Sequence, residues 1–153
     1  FNQDVGFYSK LMTFSGAGAV TGALIVAYVG KHRHIGRLLL ISLAMFGTTM
    51  ALFSLSTHPT LSAVLLFVAG ALLVMCFSLT TSLAQLLAPP ALHGRVVSIY
   101  MVAFRGGSPL GGLASGWLVT QIGSAPAVLM VNGVLLTFIA LFFLVKGHGL
   151  KDL

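Results

Sequence analysis

Acid is what this sequence most lacks. Its 153 residues hold two acidic side chains, Asp4 and Asp152, one near each end. Paired carboxylates for acid–base catalysis and carboxylate-rich cation sites are therefore missing from the interior. There is one cysteine, Cys76, inside an apolar run, which excludes a disulfide within the chain and reads as a small buried apolar residue. Charge of either sign is scarce, at 7% of residues, where a soluble domain carries about 25%. So few charges cannot coat a body of this size, and the solvent for most of the surface is lipid. The chain has no nucleotide-binding loop, and no run alternates with the period of two that a transmembrane β-barrel needs. The opening Phe-Asn-Gln-Asp has neither the basic start nor the apolar core of a signal peptide. A chain that opens on Phe1 is expected to be a fragment or a processed product.

What is present is apolar sequence, 58% of the chain. Five runs have the roughly 20 mostly apolar residues of a bilayer-crossing helix. They cover about residues 11–29, 38–55, 61–87, 96–122 and 127–145. "GKHRHIGR", "STHPT", "APPALHGR" and "GSAP" lie between them, short and rich in Gly, Pro or charge as surface turns should be. The expected fold class is an all-α integral membrane protein of five transmembrane helices, antiparallel from one to the next.

The basic residues set the direction. Lys31, Arg33 and Arg37 lie in or beside the first loop, Arg95 beside Gly94 at the third, and Lys146 and Lys151 after the fifth helix. All fall on one side if the spans alternate, and the opposite loops have no Lys or Arg. The positive-inside rule makes that side the cytoplasm, with the chain's amino terminus outside. Basic residues placed at the ends of apolar runs share no face, so no nucleic-acid partner is expected. The five histidines, at 32, 34, 58, 93 and 148, are all outside mid-span, and no metal or cofactor is expected.

Membrane helices associate through close backbone approach and a few polar contacts. Gly18 and Gly22 offer such a stripe on the first helix. Two adjoining stripes run down the fourth: Gly107, Gly111 and Ser115, and Ser108, Gly112 and Gly116. They suit static packing or a face that slides during transport. The third helix carries Ser78, Thr80, Thr81, Ser82 and Gln85, of which Ser78, Ser82 and Gln85 share one face. That face lines a cavity or bonds to another helix. Asn132 in the fifth is expected to make a packing hydrogen bond.

Arg105 is the anomaly. Its guanidinium keeps its proton, and it sits near mid-membrane, where facing lipid costs several kcal/mol or more. Its partner is a carbonyl, a polar side chain, an acid on another segment or a bound anion. Pro109 follows, with Gly106 and Gly107 between. Proline either kinks the helix or, with Ser108 as cap, opens a new half-helix, as in the broken helices of transporter sites.

"PPALHGRVVSIYMVAFRGGSPLGGLASGWLVTQIG" resembles the stretch joining the tenth and eleventh helices of major facilitator superfamily exporters. The similar branch contains the enterobactin exporter and macrolide-efflux proteins. Pro89, Pro90, Gly94, Arg95, Pro109, Gly111 and Gly123 carry the likeness. "GALIVAYVGKHRHIGRLLLIS" resembles the cytoplasmic loop between the eighth and ninth helices, without the acid such loops often hold. The resemblance implies helices eight to twelve of a twelve-helix fold, with the third helix here lining the cavity. It implies that the first and fourth helices pack on the missing amino-terminal half and that the second and fifth face lipid. The implied activity is proton-coupled efflux of drug-like or siderophore-like small molecules by alternating access across a bacterial inner membrane. An embedded enzyme would need a nucleophile, paired acids or clustered histidines at one depth, and the spans have none. The alternative is a five-helix membrane scaffold that transports nothing.

Overall fold

The computed structural model describes residues 5–29 and 34–146. Five helices make up most of them: α1 (Val5–Val29), α2 (Ile35–Leu55), α3 (Pro59–Leu87), α4 (His93–Ile122) and α5 (Ala125–Lys146). A 3-10 turn at Pro90–Leu92 joins α3 to α4, and no strand occurs among the described residues. Lys31 and Arg33 of the basic loop, Lys151 of the tail and the two acids lie outside the described residues. The helices begin ahead of the apolar runs, α1 at Val5 rather than near Leu11. Hydropathy marks the hydrocarbon layer, about 30 Å thick, whereas the headgroup regions on both sides also hold helix.

Four helices, α1, α2, α3 and α5, are long and apolar enough to cross a membrane. α4 has the length, at 30 residues, but its six glycines, three serines and two arginines dilute its apolar character. The five spans expected from sequence are thus four strongly apolar helices and one of intermediate composition. A helix that is covered by protein or water has no need to be apolar all round.

Two tight pairs form the body. α1 runs parallel to α3, with Gly18 over the backbone of Phe67, Gly22 over that of Ala71, and Gly70 of α3 over that of Ser15. A side chain at any of the three glycines would overlap the facing backbone. α2 runs antiparallel to α5, where Gly47 and Gly133 face each other. A Cβ on Gly133 would stand 2.6 Å from the Gly47 carbonyl oxygen. Thr137 donates to the Gly133 carbonyl at 2.8 Å and Thr48 to that of Ala44 at 2.8 Å, and their hydroxyls lie 3.4 Å apart across the pair. α2 and α3 join the pairs, and the hydroxyls of Ser56 and fully buried Ser62 meet at 2.9 Å beside their turn. Lipid already solvates apolar side chains, so these bare backbone contacts and hydroxyl links, more than apolar burial, hold the helices together.

α4 stands apart, with no buried residue. Phe77 of α3 meets Phe104 at 5.1 Å and Tyr100 at 6.0 Å between ring centres. Asn132 of α5 donates to Ser115 Oγ at 3.2 Å. The helix runs unbroken through Pro109, which corrects the half-helix reading: Ser108 does not open a second helix. One missing hydrogen bond does not stop a helix whose neighbouring turns remain bonded.

Gly123 ends α4 at φ 72°, and its N–H reaches the Val119 carbonyl at 2.8 Å. Only glycine takes this left-handed geometry without a Cβ clash. Gly123→Val is expected to destabilise the α4–α5 turn by about 1–2 kcal/mol. The check is thermal unfolding of the detergent-purified protein.

Candidate functional site

In lipid a hydroxyl must find a partner, and most here find one within their own helix. Thr13, Thr21, Ser42, Thr49 and Ser98 each donate to the carbonyl four residues back. On α3, Thr80 donates to Cys76 at 2.7 Å and Thr81 to Phe77 at 2.9 Å. Their hydroxyl protons are therefore used. The side chains of Ser78, Ser82 and Gln85 make no hydrogen bond among the described residues, and Ser82 and Gln85 are exposed. The structure thus separates Thr81 from the three residues with which the sequence had grouped it.

The ring contacts fix how α3 and α4 face each other. Phe77 lies eleven residues before Ala88, and Phe104 eleven after His93, so the two form an antiparallel hairpin that meets along the Phe77–Phe104 line. At about 100° per residue, Ser78, Gln85 and Ser82 lie roughly 80–140° round α3 from Phe77. Arg105 lies about 100° round α4 from Phe104 in the direction of increasing number. In an antiparallel pair of right-handed helices both rotations turn to the same side. The three unsatisfied polar groups of α3 and the guanidinium of α4 therefore open onto one common face. Ser78 is nearest Arg105 in level, and Gln85 lies about two turns further toward the loop between α3 and α4.

Arg105 is exposed, and its guanidinium has no hydrogen bond or ion pair among the described residues. With Met101, Val102 and Gly106 it lines an open concavity of about 760 Å³. About 12 residues, or roughly 18 Å of helix, separate it from the start of α4, which places it near mid-span. Pro109 cannot donate to the carbonyl of Arg105, four residues back, so this residue presents both a guanidinium and a carbonyl freed from its usual donor. Gly112 and Gly116 follow on the same face, and Ser108 borders it.

The glycines split into two groups. Gly18 and Gly22 are filled by the backbone of α3, as helix-packing glycines. Gly107, Gly111, Gly112 and Gly116 have nothing within 4 Å of where a Cβ would stand. No described helix uses either α4 stripe closely, apart from the Ser115–Asn132 bond. Gly94 and Arg95 at the head of α4 and Arg37 at the head of α2 are exposed at the same end of the bundle. Next to them His93 Nε2 lies 2.9 Å from the Ala88 carbonyl, which it can meet only as donor, and so ties the turn. No group of three or more metal-ligating side chains occurs among the described residues.

Sequence reading missed the α2–α5 contact. Its signal was present: Gly47 and Ala51 are four apart, and so are Gly133 and Thr137, the small-xxx-small spacing of membrane interfaces. These single matches stood out less than the doubled stripe of α4.

Compared with known protein families, residues 1–151 match the Major Facilitator Superfamily as a whole. No curated protein and no solved structure matches the chain significantly.

Proposed function

Since the chain belongs to the Major Facilitator Superfamily, a family of membrane transporters, we propose that the α3–α4 face is part of the path along which a small molecule crosses the bilayer. The observation that carries this is the gathering of Arg105, Ser78, Ser82 and Gln85, all without partners among the described residues, on one side of a helical hairpin. Polar groups at this depth are costly beside lipid, and a water-filled path removes the cost. Thr81 and Ser108 flank the face. The open glycines of α4 suit a helix that moves against a second half of the transporter during alternating access.

In this reading the five helices are the eighth to twelfth of a twelve-helix protein, and the other helices supply the opposite wall. The basic end, with Arg37, Arg95 and Lys146, is cytoplasmic, and the membrane is a bacterial inner membrane. Transport is efflux of drug-like or siderophore-like molecules, driven by protons. α1–α5 contain no carboxylate, so the group that carries the coupling proton is on the other helices.

The test is reconstitution of the full-length protein in liposomes with an imposed pH gradient and a panel of lipophilic drugs and siderophores. Movement of at least one solute well above empty liposomes is expected, collapsing when the gradient is abolished. If no solute moves under any gradient, the scaffold alternative holds. Movement that ignores pH removes proton coupling alone.

A further inference from the structure

We propose that the α3–α4 face receives an organic anion with a flat apolar body. The proposal rests on reading this face as the transport path and adds the chemical class of what is carried. Three observations support it.

The first is charge. Arg105 is the one charged side chain near the middle of the described helices; Lys10, Arg37, Arg95 and Lys146 sit near helix ends. Its charge is permanent. The sequence's two acids precede α1 and follow α5, so no helix of this chain carries a countercharge, and neither would a second copy of it. A cation approaching this wall is repelled, whereas a carboxylate or sulfonate gains charge-assisted, bidentate hydrogen bonds from the guanidinium.

The second is the company Arg105 keeps. Ser78, Ser82 and Gln85 on the same side can each donate a hydrogen bond, and none brings negative charge. Phe77 and Phe104 meet edge to face at the edge of that face, rings 5.1 Å apart and inclined by 62°, so the flat apolar surface on offer is the Phe104 ring. The side chain of Phe104 remains half exposed.

The third is space. Beside the guanidinium the described residues leave an open concavity, lined by Met101, Val102, Arg105 and Gly106 of α4, that a bound molecule can enter.

Two probes of the same shape and opposite charge test this: naphthalene-2-sulfonate and 2-naphthyltrimethylammonium, titrated calorimetrically into the purified full-length protein. The sulfonate is expected to bind at least tenfold more tightly than the ammonium. Arg105→Gln should weaken the sulfonate by about ten- to a hundredfold, the span of a charged hydrogen bond, and leave the ammonium unchanged or tighter. Arg105→Lys should retain much of the anion affinity. A normal elution profile and helicity of the Gln variant show that the fold survives. Equal affinity for the two probes, binding of neither, or an Arg105→Gln variant that weakens both alike or loses its fold overturns the proposal. The last pair of outcomes would assign Arg105 to an acid on another helix. Failure of the transport reading is seen separately, in the liposome assay, where no solute would move.

Discussion

Gly22→Leu is expected to leave little folded protein in the membrane. A Cβ at this position overlaps the carbonyl of Ala71, with the carbonyl carbon and Cα of Ala71 only 2.8 Å away. Backbone atoms of a helix cannot step aside as a side chain can, so α1 and α3 must separate. α1 meets the rest of the chain chiefly through α3, and nothing else would hold it. Overpacking a fitted contact costs about 1–3 kcal/mol even where side chains can shift; here the cost should exceed about 3 kcal/mol. That is a large part of the roughly 5–15 kcal/mol that holds a domain together. Gly18→Leu, against Phe67, should behave alike. Gly16→Leu is the control, since nothing lies within 4 Å of its Cβ position. Expression yield and melting temperature by fluorescence-detected gel filtration are the measurements. Equal behaviour of Gly16→Leu and Gly22→Leu would show that the α1–α3 contact does not form in the membrane.

Gly112→Leu should do the reverse. It has open space on every side, so the stability of the five helices should change by no more than about 0.5 kcal/mol. Transport should nevertheless fall at least tenfold. Gly112 lies two turns beyond Arg105 on the same face of α4, and a leucine there crowds both the concavity and whatever passes the small-residue stripe. The relevant pair of measurements is melting temperature against the initial transport rate in liposomes. Full activity would mean that this face of α4 looks onto lipid.

The contrast shows what sequence could and could not tell. Glycines four apart occur on both α1 and α4, and periodicity marks both as smooth faces. It does not say which face is occupied. Gly18 and Gly22 are filled because Phe67, Gly70 and Ala71 of α3 bring a backbone to them, and that pairing lies some fifty residues away in sequence. The α4 glycines meet nothing, for the same non-local reason. The hydroxyls teach a similar lesson. Thr81 and Ser82 are neighbours of like polarity, yet only Thr81 donates to its own helix. Serine bonds back as well at Ser42 and Ser98, so residue type alone does not tell which hydroxyl is used. Helix number, the short turns between helices and the lack of an acid for Arg105 within the spans were legible, because each follows from local composition. The choice at Pro109 between a kink and a new half-helix was not, because a proline's local preference does not say whether the turns on either side stay bonded.

That unbroken proline has a mechanical consequence. A rod that has lost one internal tie flexes there before it flexes elsewhere. α4 is therefore two stiff levers, about 18 Å and 25 Å long, joined at a compliant point at Arg105 and Pro109. A deflection of about 10° at that point would swing the longer lever's tip by about 4 Å. The soft joint and the guanidinium proposed to hold an anion are the same few residues, so a load taken up there would reach α4 where it yields most easily.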